Sequence, residues 1–132
     1  ASGLPVLIHA RRGWDHLLAC LKDIPVRGVM HAFSGSREVL DACLHRGLFI
    51  SFAGMVTRPN SRRAREAVTL TPADRLLLET DAPYMAMEGV PADAMEPALI
   101  PPILAAVAAL RGDDPALLAA QLAANARGLL ER

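Results

Sequence analysis

The sequence has no net charge and few aromatic side chains. Its 14 basic residues balance 14 acidic ones, and aromatic residues make up 4% of the 132 positions. A chain with balanced charges has no overall field that would hold nucleic acid or an anionic membrane at physiological salt. Any polyanion must therefore be bound by a local site.

Cysteines and long apolar runs are also scarce. The two cysteines, Cys20 and Cys43, lack CxxC spacing and lie on or beside apolar helix faces, so we interpret them as small buried side chains in a reducing environment. No charged-then-apolar leader precedes Leu4, which predicts a cytoplasmic location. No stretch approaches the roughly 18 uninterrupted apolar residues that span a bilayer, so no membrane partner is expected.

Short apolar runs alternating with amphipathic segments make up most of the chain. The runs predict four strands, near residues 4–9, 28–33, 48–53 and 75–80. The segments between them carry apolar residues at helical spacing, which predicts three connecting helices. Continuous apolar runs are typical of strands covered on both faces, so this β-α-β alternation predicts an α/β fold with a parallel sheet.

The last third of the chain is predicted to be helical. Two helices are expected near residues 97–111 and 115–131, separated at Gly112, with Pro115 in the first turn of the second. Because no low-complexity linker separates these helices from the strands, residues 1–132 are predicted to form a single domain.

Polar side chains stand where the apolar runs end. His9 follows the first run, His31 closes the second, and Glu79 and Asp81 end the fourth. The carboxyl ends of parallel strands meet at one edge of a sheet, where ligands commonly bind. Two imidazoles and a carboxylate match the ligands of a divalent cation, and three protein donors leave positions open for water and substrate. A catalytic metal site at His9, His31 and Asp81 is one interpretation.

Simpler interpretations of the same residues remain open. A single histidine at a strand end is more often a hydrogen-bonded loop residue than a metal ligand. Asp81 could do no more than cap the turn before Pro83, because Asp-x-Pro is favourable turn chemistry. Glu79 could pair with a neighbouring arginine.

Five motifs follow one another along the chain: LPVLIHAR at 4–11, HAFSG at 31–35, SFAG at 51–54, LLLETDAPY at 76–84 and NAR at 125–127. Together these motifs resemble the TatD family of metal-dependent hydrolases. They follow one another in that family's order and spacing along the whole chain. The resemblance implies parallel β/α units from the C-terminal half of a TIM-type (β/α)8 barrel with C-terminal helices, and deoxyribonuclease activity.

The resemblance also implies roles for individual residues. His9 and His31 fall on metal ligands, Asp81 on an aspartate that binds metal and handles the proton of the attacking water, and Glu79 on a nearby catalytic acid of the same site. The implied cofactor is a divalent metal ion, Mg²⁺, Mn²⁺ or Zn²⁺, with one or two ions in a complete site.

Two arginines are candidates for binding substrate. Arg11 lies two residues after a predicted ligand, where its guanidinium could clamp a phosphate with two parallel hydrogen bonds; alternatively it pairs with Asp15. Arg58 precedes an arginine-rich segment at residues 62–65 that could add phosphate contacts or could form a solvated helix face.

The sequence also departs from the family pattern. It contains no His-x-His pair, which the family carries on its first strand, and the resemblance begins near the family's fifth strand. We therefore expect about half of the barrel to be missing and to be supplied by an N-terminal half-barrel or by a second copy of the chain. The loop at 84–97 holds Glu88, Asp93 and Glu96 without Lys or Arg, and such a loop over the site would repel a phosphodiester.

The leading hypothesis is a metal-dependent hydrolase that cleaves phosphodiester bonds in DNA through metal-activated water and is inactive as an isolated half. One alternative is a catalytically incomplete half-barrel that assembles with a partner chain or a second copy. Another is a metal-dependent hydrolase of an ester or amide outside nucleic acids.

Overall fold

A computed structural model of the chain describes residues 3–131. Over this range four parallel strands form one sheet in which each strand lies beside the next in chain order. The predicted parallel α/β fold is confirmed. The strands are β1 (Val6–His9), β2 (Gly28–His31), β3 (Phe49–Phe52) and β4 (Leu76–Leu78).

Helices connect the strands and follow the last of them. None of the helices between residues 3 and 131 is both long enough and apolar enough to cross a membrane; the cytoplasmic location stays a prediction. The helices are α1 (Trp14–Cys20), α2 (Arg37–His45), α3 (Arg62–Leu70), α4 (Ile100–Arg111) and α5 (Pro115–Leu130).

The core lies between one face of the sheet and helices α2 to α5. Met30, Ile50 and Leu76 are register neighbours on β2, β3 and β4, and all three are fully buried. Ile103 and Val107 of α4 join the same apolar cluster. The buried residues Met30, Ile50 and Leu76 pack side by side across three strands, and the carboxyl ends of these strands therefore lie at one common edge.

Strand β1 is less covered than the sequence predicts. Val6 is exposed, and Leu7 keeps 72% of its accessible surface. The expectation that every strand is covered on both faces is wrong for β1, because neither Val6 nor Leu7 belongs to the apolar cluster formed by residues 3–131.

Strand β4 is shorter than the predicted segment at 75–80. The backbone N–H of Glu79 still donates to the carbonyl of Phe52 at 3.1 Å. Asp81 then adopts a left-handed φ of 53°, and the N–H of Tyr84 donates to the carbonyl of Asp81 at 2.7 Å. The chain therefore turns away from the sheet at Asp81.

The two cysteines differ in environment. Cys43 is fully buried against the core, as predicted, and burial raises the pKa of its thiol to about 11. Cys20 is exposed, and its predicted burial is wrong because α1 buries none of its residues fully.

Asn125 joins α5 to the start of β4. It is only 5% exposed, and its Nδ2 donates to the carbonyls of Ala73 at 2.7 Å and Leu76 at 2.8 Å. Its Oδ1 accepts a hydrogen bond from Gln121 at 2.8 Å. The side-chain amide thus satisfies two carbonyls beside the strand that leads into the polar edge of the sheet.

Replacing Asn125 with leucine keeps the side-chain size and leaves both carbonyls without their donor. We expect Asn125→Leu to lower the free energy of unfolding by about 1–3 kcal/mol, the cost of an unsatisfied buried polar group, measured by urea denaturation. The matched control is Gln121→Leu, one helical turn away and half-buried, which leaves one acceptor, Oδ1 of Asn125, without its donor instead of two carbonyls and should cost less. Equal losses in the two variants would contradict this account.

Thiol chemistry tests the two cysteine environments. The thiolate is the reactive form, so the raised pKa and burial of Cys43 should keep it from reacting with iodoacetamide at pH 8, while the exposed Cys20 reacts. Mass spectrometry of the folded chain should show one modification, and a second should appear only after unfolding. The folded Cys20→Ser variant should show no rapid modification. Rapid modification of Cys43 in the folded chain would show that α2 does not bury it.

Candidate functional site

A cleft of about 510 Å³ lies at the carboxyl end of the sheet. Five of its lining side chains carry polar or charged groups that could bind a ligand: His9, Arg11, Ser34, Asp81 and Tyr84. The rest of the wall is largely apolar and includes Phe33, Phe52, Met55, Val56 and Met85. The cleft therefore combines a charged rim with an apolar wall.

Two histidines lie side by side because β1 and β2 are parallel and in register. His9 is the register partner of His31, and the centroids of their rings are 5.5 Å apart with a tilt of 42°. His9 is exposed, whereas His31 is partly buried. The structure thus brings together the two imidazoles that the sequence places at successive strand ends.

The carboxylate of Glu79 fixes the ring of His31. Its Oε2 accepts a hydrogen bond from Nδ1 of His31 at 2.8 Å, and its Oε1 accepts one from the backbone N–H of Ala32 at 2.7 Å. Both carboxylate oxygens are engaged, so Glu79 is an acceptor and His31 carries a proton on Nδ1. Nε2 of His31 is left to face another group.

That other group is Asp81, whose Oδ1 lies 3.3 Å from Nε2 of His31. In a neutral ring protonated at Nδ1, Nε2 is an acceptor, and the carboxylate of Asp81 is an acceptor too. Two acceptors at this distance attract each other only when a proton or a cation lies between them. The pair is therefore a natural position for positive charge.

The backbone beside this pair is strained at two non-glycine residues. Ala32 has a φ of 47° and Asp81 a φ of 53°, both in the left-handed region. Such conformations cost of the order of 1–3 kcal/mol each and persist where surrounding contacts impose them. At Ala32 the imposing contact is the hydrogen bond to Glu79, so one carboxylate holds both the ring and the backbone of this corner.

The donors fit a divalent cation but do not surround one. Between residues 3 and 131, no group of three or more His, Cys, Asp or Glu side chains lies close enough to hold a metal ion. The pair of His31 and Asp81, with His9 beside it, supplies imidazole and carboxylate donors of the right kind. An imidazole whose second nitrogen donates to a carboxylate is the usual arrangement of a metal-binding histidine. The chemistry matches part of a metal site.

The two candidate arginines lie in different places. Arg11 lines the cleft, is exposed, and forms no ion pair with Asp15. Arg58 lies instead in a separate depression together with Asn60 and Glu88. The structure therefore brings Arg11, but not Arg58, to the edge that carries Asp81.

The acidic loop does not cover the cleft. Glu88, Asp93 and Glu96 are all exposed, and none of them lines it. The expected repulsion of a phosphodiester by a loop lying over the site is not supported, because the residues of this loop that do line the cleft, Tyr84 and Met85, are uncharged.

Thr57 fastens this loop beside the cleft, a role that nothing in its local sequence indicates. Its Oγ1 donates to the carbonyl of Gly54 at 2.8 Å and accepts from the N–H of Glu88 at 2.7 Å. A Cβ on Gly54 would come within 2.7 Å of the carbonyl oxygen of Met85, so glycine is required for this close approach. Together these contacts hold the loop against the segment that follows β3.

A family profile described as TatD related DNase matches residues 1–131. The protein of Erwinia tasmaniensis named 3′-5′ ssDNA/RNA exonuclease TatD is 42% identical over 134 residues, covering 96% of this chain and 52% of that protein. The protein of the same name from Salmonella typhimurium is 39% identical, covering 97% and 52%. The chain thus spans about half the length of these curated relatives.

Solved structures show the same relation. The crystal structure of YJJV, a TatD homologue from Escherichia coli, superposes with a TM-score of 0.88 at 32% identity, covering 98% of this chain and 51% of that one. A TatD family hydrolase from Entamoeba histolytica gives a TM-score of 0.84 at 20% identity, covering 97% and 51%, and shows the fold alone. The predicted half of a TIM-type barrel is confirmed.

The fastening role of Thr57 can be tested by Thr57→Val, which keeps the shape and removes the hydroxyl. We expect faster amide hydrogen exchange at Glu88, because its N–H loses the acceptor, and a loss of stability of about 0.5–1.5 kcal/mol. Exchange followed by mass spectrometry or NMR measures the change. Thr57→Ser retains the hydroxyl and should exchange as the wild type does; protection of Glu88 in both variants would show that Thr57 does not hold the loop.

Proposed function

The chain belongs to the TatD family, and from this premise we propose that it carries part of the catalytic centre of a metal-dependent hydrolase that cleaves phosphodiester bonds in DNA. One observation carries the proposal: Glu79 orients His31 so that its Nε2 faces Asp81 at 3.3 Å. The names of the curated relatives, which describe exonucleases, support nucleic acid as the substrate.

His31 and Asp81 would hold the metal ion, with His9 as a further donor. A bound divalent cation such as Mg²⁺, Mn²⁺ or Zn²⁺ makes water nucleophilic near neutral pH and polarises a phosphoryl oxygen. The proton on Nδ1, kept in place by Glu79, leaves the lone pair of Nε2 directed at the position between His31 and Asp81. Glu79 thus acts through His31, as a positioning residue.

Asp81 is the better candidate to receive the proton of the attacking water. It lines the cleft and is partly exposed, whereas both oxygens of Glu79 already accept hydrogen bonds. A general base must lie within hydrogen-bonding reach of the proton that it takes. Of the two carboxylates, the geometry therefore favours Asp81.

Arg11 supplies positive charge for the substrate. Its guanidinium is exposed in the cleft and forms no ion pair with a carboxylate of residues 3–131, which favours its binding to a pair of phosphate oxygens. Arg58 lies in another depression, so it would bind only a part of the DNA substrate that extends beyond the cleft.

The remaining metal ligands are proposed to come from outside this chain, from the other half of a barrel. The relatives are about twice as long as the chain, and the donors between residues 3 and 131 make only part of a site. An isolated chain is then expected to lack nuclease activity. The alternatives, a purely structural half-barrel or a hydrolase of other esters or amides, have no comparable support.

The role of Asp81 is tested in the polypeptide as its gene encodes it, with Mg²⁺, Mn²⁺ or Zn²⁺ added and a labelled single-stranded oligonucleotide as substrate. Asp81→Asn keeps the size and removes the charge, so kcat should fall by at least about 100-fold, and chelation by EDTA should abolish cleavage. Asp41 is an exposed carboxylate on α2, and Asp41→Asn is the matched control, which should cleave at the wild-type rate. Cleavage by Asp81→Asn at the wild-type rate would exclude Asp81 from the chemistry.

A further inference from the structure

We propose that Tyr84 is the stacking platform for an unpaired base, so that this one side chain selects the end of a single strand for the cleft. The inference rests on the proposed function, because it assigns a binding role beside the same reaction centre. The juxtaposition that carries it is an exposed aromatic ring in a cleft that also holds Arg11 and Asp81.

Tyr84 is unlike the other aromatic side chains of the protein. It is 69% exposed, and neither its ring nor its hydroxyl has a partner within residues 3–131. Phe33 packs against Trp14 with ring centroids 5.5 Å apart and against Phe52 at 6.2 Å, and the guanidinium of Arg75 lies over Phe49 at 5.3 Å. Among the Phe, Tyr and Trp side chains of residues 3–131, the one exposed ring is therefore the one beside the proposed reaction centre.

The ring is displayed from a fixed backbone. The N–H of Tyr84 donates to the carbonyl of Asp81, three residues earlier, at 2.7 Å. Four residues later, the N–H of Glu88 is held by Thr57, and the close approach at Gly54 fixes the chain at Met85. A site whose backbone is already held loses little conformational freedom when it binds. The backbone of Tyr84 is therefore held beside Asp81.

The other walls of the cleft suit a nucleotide. Met55 and Met85, both partly exposed, offer apolar surface to a flat ring, and Arg11 offers a bidentate partner to a phosphate. A ligand that combines a planar ring with a phosphodiester would contact both the apolar side chains and the guanidinium. Stacking on an aromatic side chain is tolerant of sequence, because every base has such a face.

Stacking of this kind discriminates between paired and unpaired strands. Inside a duplex, neighbouring base pairs cover both faces of each internal base, and the terminal base, although one face is free, is still hydrogen-bonded to its partner. Bringing that base onto a ring inside the cleft therefore requires unpairing it. The terminal base of a single strand has a free face and no pairing partner. Tyr84 would thus bind the terminal nucleotide while Arg11 holds its phosphate near Asp81.

The test uses the polypeptide as its gene encodes it and two single-stranded oligonucleotides of one sequence, one with a normal terminal base and one abasic at the degraded end. On the normal strand, Tyr84→Leu should raise KM by about 5- to 150-fold, which corresponds to one lost base stack, with kcat little changed. On the abasic strand, Tyr84→Leu and the wild type should have equal KM. Tyr84→Phe keeps the ring and should behave as the wild type on both.

The outcomes separate this inference from the proposed function. If Tyr84→Leu changes KM equally on both strands, or not at all, Tyr84 is no stacking platform. If Tyr84→Leu lowers the melting temperature and leaves KM unchanged, its ring packs against another part of the protein, which also overturns the inference. Binding of the normal strand without metal, measured by fluorescence anisotropy, covers the case in which the wild type does not cleave. If Tyr84→Leu then binds this strand more weakly than the wild type and Tyr84→Phe do, the proposed function fails and the stacking role stands.

Discussion

The two oxygens of one carboxylate organise the candidate site. Glu79 follows β4, yet its hydrogen bonds go to the ring of His31 and the backbone of Ala32 at the end of β2, with β3 lying between the two strands. Hydrogen bonds to an ionised carboxylate are among the stronger ones in proteins, and here two of them converge on one corner. They set the tautomer of His31, support the left-handed backbone at Ala32 and direct Nε2 at Asp81. Without Glu79, each of these features would lose its cause.

Strand order explains why part of the site could be read from the sequence. Alternation of apolar runs and amphipathic helices fixes a parallel sheet, and parallel strands carry His9, His31 and Glu79 to one edge whatever the details of packing. The adjacency of the two histidines follows from register alone. The parallel fold and the shared edge were therefore predictable from local pattern and general rules of topology.

The residues that sequence reasoning missed depend on contacts between distant segments. Thr57 matters because Glu88, 31 positions later, lies within hydrogen-bonding distance, and no local pattern encodes that meeting. Arg58 seemed a phosphate ligand from its charge, but the path of the chain after Gly54 carries it to another depression. The exposure of Tyr84 similarly depends on the turn at Asp81, where β4 ends earlier than its apolar run suggests.

The exposed face of β1 and the partial metal site lie on the same side of the sheet. β1 exposes Leu7 on the face that also carries His9, because side chains two apart on a strand share a face. If the half of the longer relatives that this chain does not match closes a barrel with it, that half covers this face, and under the proposed function it also brings the further metal donors to the same edge.

Different segments of the chain carry the proposed metal donors and the proposed substrate contacts. Glu79 and His31 are fixed by hydrogen bonds at strand ends and would determine whether a metal can bind. Tyr84 and Met85 belong to a loop held by Thr57 and Gly54, and they would determine what lies beside that metal. The two sets meet at the turn of Asp81, whose carbonyl accepts a hydrogen bond from the N–H of Tyr84. A change in the loop that altered this turn would therefore also move Asp81, one of the proposed metal donors.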